Sequence, residues 1–271
     1  MASGEGARSS EDVVTVTNRA GRGRFVVICD HASNRIPERY RRLGLDLADL
    51  ERHIAWDPGA LPVSEGLAEA LDAPLVAAGL SRLLIDCNRP LDAPDLIAEV
   101  SETTVVPGNR NLDARMRAER IALAHAPFHD AVDALVRERL AAGRETCLVS
   151  VHSFTPVYKG VPRPWQIGIL HDEDERLSRP MIAALGRMPG VVVGDNQPYS
   201  PADRVYYTLE RHGRSRNLPC VMIEIRNDEI AGAAGQERWV DRLSAVMARL
   251  ASDGGLAAGT AAGDARKIHT S

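Results

Sequence analysis

Four short apolar runs, each closing on a knot of polar and ionisable residues, constrain this 271-residue chain more than any other feature. They read Arg24-Phe-Val-Val-Ile-Cys-Asp-His31, Arg82-Leu-Leu-Ile-Asp-Cys-Asn-Arg89, Thr146-Cys-Leu-Val-Ser-Val-His152 and Cys220-Val-Met-Ile-Glu-Ile-Arg226. Runs of four to eight apolar residues, rich in β-branched types and set between helical stretches, read as buried parallel strands. In open α/β sheets, ligands gather outside the carboxyl ends of such strands. The pattern therefore brings two histidines, an Asn-Arg pair and a Glu-x-Arg pair to one place. That is the inventory of a metal-assisted hydrolase.

The rest of the chain supports an α/β fold. Strands are expected at Phe25–Asp30, Pro74–Ala78, Leu83–Cys87, Cys147–Val151, Gln166–Leu170, Val191–Val193 and Val221–Ile225. Helices are expected at Pro58–Leu71, Leu112–Ala124, Phe128–Ala142, Glu175–Arg187 and a last segment striped by Trp239, Leu243, Val246, Met247 and Leu250. Shorter ones fall near Glu38–Leu43 and Leu47–Ile54, and a long loop runs from Pro90 to Asn111. Residues 1–22 read as a flexible N-terminal arm with a short edge strand at Val13–Val16. Residues 23–252 read as a single catalytic domain, and 253–271 as a flexible tail rich in Ala and Gly.

Composition excludes several classes. A net charge of −4, from 33 basic and 37 acidic residues, gives no basis for nucleic acid or membrane as partner. At 4%, aromatic residues are too few for a base-stacking surface. Cys29, Cys87, Cys147 and Cys220 lie inside apolar runs with no C-x-x-C pair, so they read as packing thiols. No apolar segment approaches the ~20 residues of a membrane span, and no signal-peptide core is present. A soluble, cytoplasmic protein is expected. Gly-x-Ser-x-Gly, a phosphate-binding Gly-rich loop with Lys, and G-x-G-x-x-G after a strand are all missing.

His31 and His152 occupy equivalent strand ends and are the candidate metal pair. A catalytic zinc takes a third protein ligand, for which Asp57 and Asn34 are the local choices. Asp57 equally suits a helix N-cap, because Pro58 would then stand at N1. The Arg89 guanidinium suits a substrate carboxylate, or else a salt bridge to Asp86. Arg82 starts the same run and is expected at its opposite end in a structural role. Glu224 sits inside an apolar strand, where a charge is costly unless paired or functional. It reads either as the partner of Arg226 or as a general base. His53, His212 and Tyr199 lie in segments able to fold over the site. His125 and His129 have i, i+4 spacing, but Pro127 between them argues against a straight helix.

Taken together in this order, Asp30-His-Ala-Ser-Asn-Arg-Ile-Pro37, His53-Ile-Ala-Trp-Asp57, Ile85-Asp-Cys-Asn-Arg-Pro90, Val151-His-Ser-Phe154, Asn196-Gln-Pro-Tyr199 and Ile223-Glu-Ile-Arg-Asn-Asp228 resemble the N-formylglutamate amidohydrolase family. The likeness runs from about Phe25 to about Leu250. It implies a zinc-carboxypeptidase-like (phosphorylase/hydrolase-like) fold: a mixed, mostly parallel central sheet flanked by helices on both faces. It also implies hydrolysis of an N-formyl or N-acyl amino acid, as in amino-acid catabolism, by a metal-activated water at one Zn2+. In that scheme His31, His152 and Asp57 bind the metal, and Glu224 is the base, assisted by Arg226 or His212. Asn88, Arg89, Tyr199 and Asn34 would then contact substrate. The related peptidases carry a ligating Glu three residues after the first His, where this chain has Asn34. That departure supports a rival reading, a non-catalytic small-molecule binder on the same fold; a third reading is a related hydrolase for a larger N-acyl amino acid or peptide.

Overall fold

A computed structural model describes residues 12–252. Of the arm expected at 1–22, residues 1–11 lie outside the described residues, as does the expected tail at 253–271; residues 12–22 are described and carry a strand of the sheet at Val14–Thr17. Seven strands form one sheet: β1 (Val14–Thr17), β2 (Phe25–Cys29), β3 (Leu75–Ala78), β4 (Cys147–Phe154), β5 (Ile167–Leu170), β6 (Val193–Asp195) and β7 (Cys220–Arg226). Their order is β1-β3-β2-β4-β7-β5-β6. The β1–β3 and β5–β7 pairs are antiparallel. The other four are parallel, so the sheet is mixed but mostly parallel.

Period-two alternation divides each central strand between two cores. Val27, Val149, Val151, Ile223 and Ile225 face one layer, built from α2 (Ala60–Ala70), α5 (Ser178–Leu185) and α7 (Ala233–Ser252). In it Trp239, Leu243 and Met247 of the expected stripe are fully buried. Val26, Ile28, Leu148 and Met222 face the other layer, built from α4 (Ala126–Ala141) and α6 (Tyr207–His212). Along β4 and β7, Ser150, His152 and Glu224 share the parity of Leu148 and Met222. At the carboxyl ends, polar side chains thus take over from apolar ones on the α4/α6 face.

Two expectations are corrected. The run Leu83–Cys87 is not a strand; the sheet position beside β3 is held by β1 instead. Leu83, Leu84 and Ile85 are buried in a third cluster with Ile54, Leu96, Ile97 and Val106. Distant side chains satisfy the backbone there: Asn109 Nδ2 donates to Leu83 O (2.9 Å) and Arg120 Nη1 to Leu84 O (3.0 Å). Nor does Pro127 break the helix. A short α3 (Ala114–Arg120), capped by Asp113, passes through a π turn at Ile121–His125 into α4. Pro127 lies in the first turn of α4, where a missing N–H is tolerated. His125 and His129 consequently sit on one buried face, ring centroids 4.4 Å apart.

All four cysteines are buried, and none is joined in a disulfide. Among the described residues, no helix is long and apolar enough to cross a membrane.

Candidate active site

The carboxyl ends of β2, β4 and β7 open into a cavity of about 260 Å³ lined by His31, His53, Asp57, Arg82, Asp86, Asn88, Arg89, His152, Tyr199 and Glu224, with Tyr158 at its side. His31, Asp57 and His152 are buried and could hold a metal ion. Asp57 Oδ2 lies 3.3 Å from His31 Nδ1 and 2.9 Å from His152 Nδ1. Tetrahedral coordination with bonds of about 2.0–2.1 Å separates donor atoms by about 3.3 Å, so these spacings fit a divalent ion.

The outward nitrogens are fixed as well. His31 Nε2 donates to Asp86 Oδ1 (2.7 Å). His152 Nε2 lies 3.1 Å from Asp30 Oδ2 and 2.8 Å from Ser150 Oγ, whose hydroxyl donates to the same carboxylate oxygen (2.6 Å). Carboxylates behind both imidazoles favour the proton on the outward Nε2, so that Nδ1, now turned to Asp57, is the donor each ring would offer a metal. Thr208 of α6 donates to the other oxygen of Asp30, tying the helix to the site.

Asp57 is not a helix cap, since α2 begins at Ala60 after Gly59. Its second oxygen receives Arg82 and lies 3.2 Å from His53 Nε2, which also donates to Ser153 O (2.5 Å). Burial by itself would raise Asp57; the charges of Arg82 and His31 outweigh it and hold the carboxyl well below its usual range. For His152 burial opposes protonation, yet its bonds to Asp30 and Asp57 raise it to about 10. Three buried aspartates around two imidazoles make the centre receptive to a cation.

Glu224 stands opposite His152 across the β4–β7 ladder. Its Oε2 is buried with no hydrogen-bond partner. Desolvation pushes this carboxyl up to about 7, with Asp57 adding to the effect and His152 and Arg82 opposing it. Across the β5–β7 pair, the position facing Glu224 is Gly168. A Cβ there would come within 2.0 Å of Gln197 O. The bare glycine lets that segment close down and bring Tyr199 to the cavity wall.

Several expected residues have other work. Asn34 does not line the cavity; its Nδ2 donates to Leu50 O (3.0 Å) at the end of α1 (Leu47–Glu51). Arg226 is drawn from the cavity by Asp228 (2.7 Å) and donates to the carbonyls of Arg163 and Trp165 (3.3 and 3.4 Å). His212 is buried against α4, its Nε2 2.9 Å from His129 Nδ1, and does not reach the cavity. Asn88 lines it, but its amide is engaged on both sides, donating to Val205 O and accepting from Thr208 N (3.0 Å). Arg89 bonds Asp95 (2.8 Å) and the Asn88 carbonyl (3.1 Å).

Sequence reasoning missed Arg82 at the cavity and the roles of Asp30, Asp86 and Ser150. Asp30 and Asp86 each close an apolar run, the same signal that singled out the histidines.

Fold and cavity together define an α/β protein with a buried, ionisable centre at the carboxyl ends of its strands. The sequence matches the N-formylglutamate amidohydrolase family over residues 23–231, and the chain belongs to that family of linear-amide hydrolases. It is similar to the crystal structure of a gene product from Agrobacterium tumefaciens, with a TM-score of 0.88 and 43% identity over 90% of this chain and 96% of that one. It shares its fold with N-formylglutamate amidohydrolase from Ralstonia eutropha JMP134, with a TM-score of 0.64 and 19% identity over 89% and 97% of the two chains. No protein of curated function matches the sequence.

Proposed function

We propose that the protein hydrolyses the N-formyl, or another N-acyl, amide of an amino acid such as N-formylglutamate. In this reading His31, Asp57 and His152 hold one divalent metal ion, zinc by the nature of the donors, and Glu224 is the general base. One observation carries it: an unpartnered, buried Glu224 carboxylate shares a cavity with two imidazole Nδ1 atoms and an aspartate oxygen at ligand spacing. When bound, the metal supplies Lewis acidity towards the amide oxygen and towards water.

The chain's own residues supply the rest. Glu224 Oε2 accepts a proton from the attacking water as the new C–O bond forms. It returns that proton to the amine nitrogen as the C–N bond breaks, releasing the free amino acid and formate or another carboxylate. A base near pH 7 suits this double role, and desolvation moves Glu224 there. Asp86 and Asp30 keep the imidazoles from rotating. Arg89 offers charge to the α-carboxylate, and Asn88 holds the Val205–Thr208 segment beside it. Residues 23–252 act as one catalytic domain in the cytoplasm.

The test is a panel of N-formyl and N-acyl amino acids incubated with chelator-treated protein, with and without added zinc, and read by release of the free amine. Zinc-dependent release from the formyl substrates is expected. Activity that chelation and zinc leave unchanged would refute the metal assignment, and no release from any substrate would refute the substrate class.

A further inference from the structure

We propose that His129 and His125 are positioning residues for the hydrolysis: their rings hold the Cys87 and Arg89 carbonyls and so fix the segment that carries Asp86, Asn88 and Arg89 at the cavity. This role rests on the amide-hydrolase reading above and extends it to two side chains that do not line the cavity.

The segment from Leu84 to Arg89 is not paired into the sheet, so its carbonyls need donors from elsewhere. One helical rod supplies three of them. Arg120 Nη1 donates to Leu84 O (3.0 Å), His129 Nε2 to Cys87 O (2.9 Å) and His125 Nε2 to Arg89 O (2.9 Å). The Thr208 hydroxyl, 3.5 Å from the Cys87 carbonyl, is given to Asp30. The π turn at Ile121–His125 aligns the three donors. In an unbroken α-helix a step of five residues turns by about 500°, which would leave Arg120 and His125 about 140° apart. The π turn, closed by Ala126 N donating to Ile121 O, takes in one extra residue and brings both onto the face that His129 continues.

Hydrogen bonding then dictates the tautomers. A carbonyl only accepts, so His129 Nε2 carries a proton. Burial, with His125 and His212 adding to it, holds this ring down to about 2, so it stays neutral and its Nδ1 is an acceptor. His212 Nε2, 2.9 Å away, therefore donates to it. That leaves His212 Nδ1 without a proton, and this atom is buried without a hydrogen-bond partner. One bond from α6 to α4 thus selects the form of His129 that can hold Cys87. The α6 side grips the next residue directly, since Asn88 donates to Val205 O and accepts from Thr208 N (3.0 Å). Residues 87–89 are clamped between the two helices.

The clamped segment carries groups of the site. Asp86 Oδ1 accepts from His31 Nε2 (2.7 Å) and from Asn88 N (2.8 Å), and Arg89 stands at the cavity wall. Burying the imidazoles of His125, His129 and His212 is costly where apolar side chains would pack, and none of the three lines the cavity. What they secure is the placement of Asp86 and Arg89.

The experiment compares zinc-loaded wild type, H129L and H129Q on the fastest substrate of the amine-release panel. H129L removes the donor to Cys87 O, whereas the glutamine amide keeps one at similar reach. H129L is expected to raise KM about tenfold with kcat within about threefold, because Arg89 is misplaced for substrate and transition state alike. H129Q should bring KM back to within about threefold of wild type. An unchanged KM in H129L, or a KM in H129Q no better than in H129L, overturns the assignment. If H129L does not fold, H125L and H125Q take their places, with the same outcomes read for the Arg89 carbonyl. If wild type hydrolyses no compound of the panel, the function reading fails, and proton–nitrogen NMR of metal-free protein with isotope-labelled histidines decides for His129. The His31 Nε2–H resonance, set by its bond to Asp86, should move in H129L and return in H129Q. A resonance that stays in place in H129L, or is not restored in H129Q, overturns the assignment.

Discussion

Glu224→Gln separates a working carboxylate from a structural one, because the two roles predict opposite changes in stability. The substitution preserves shape and volume. As general base, Glu224 contributes a rate factor of about 10²–10⁴, so turnover should fall by that much while substrate and metal affinities stay near normal. The stability effect follows from the raised pKa of about 7 against an ordinary 4.5. Between those values the unfolded chain is ionised and the folded one is not, so the folded protein is destabilised progressively as pH rises from 4.5 to 7. Above that window the full penalty is about 3 kcal/mol. Burying an amide that finds no partner takes back about 1 kcal/mol. Chelator-treated Glu224→Gln should therefore be about 2 kcal/mol more stable than wild type at pH 8, and no more stable at pH 4. Urea denaturation at the two pH values, beside zinc-dependent amine release, makes the measurement. A variant that loses stability at pH 8, or that keeps near-normal turnover, would refute the reasoning.

Three further outcomes follow from the contacts around the cavity. Asp86→Asn weakens the acceptor behind His31 Nε2, so zinc affinity, read by competition with a chromogenic chelator, should fall about 10- to 100-fold; unchanged affinity would show that the carboxylate does not orient the ring. Asn88→Ala strands the Val205 carbonyl and the Thr208 N–H together, and at about 1–3 kcal/mol for each buried group, urea denaturation should show a loss of at least 2 kcal/mol. His212 is buried and held down to about 4 by desolvation and by Arg211 and Arg216, so the folded state keeps it neutral while the unfolded chain protonates near 6.5. The stability that this contributes, about 3 kcal/mol, is complete above pH 6.5 and lost as pH falls through about 4; replacing His212 with Gln should flatten the curve in that window.

Much of the fold is legible because periodicity is a local property. The α7 stripe and the alternating strands β2, β4 and β7 bury the residues their spacing selects. Leu83–Cys87 misleads because an apolar run looks the same whether its backbone bonds come from neighbouring strands or from Asn109 and Arg120 side chains. The error carries over to Arg82. In an extended strand, seven steps would set Arg82 about 23 Å from Arg89. In the folded loop both reach one cavity. The local signals are two polar residues at its ends, Ser81 accepting from Leu83 N and Leu84 N and Asp86 accepting from Asn88 N, and the apolar run between them outweighs these in a reading by periodicity.

The site residues divide by what occupies their hydrogen-bonding capacity. Asn34, Arg226 and His212 each carry the right chemistry at the right end of the sheet. Yet each is claimed by a nearby partner: the Leu50 carbonyl, the Asp228 carboxylate and the His129 ring. His31, His152 and Asp57 are also bonded, but their bonds to Asp86, Asp30 and Arg82 turn the remaining nitrogens and oxygen inward on a common point. Glu224 Oε2 is left without a partner. A folded protein keeps such a group buried at a cost of kilocalories, and in the proposed reaction the attacking water is the partner that offsets it. Residue type at a strand end nominates candidates; partners from 2 to 122 positions away along the chain decide among them, and the carboxyl left incomplete is where the proposed reaction places its water.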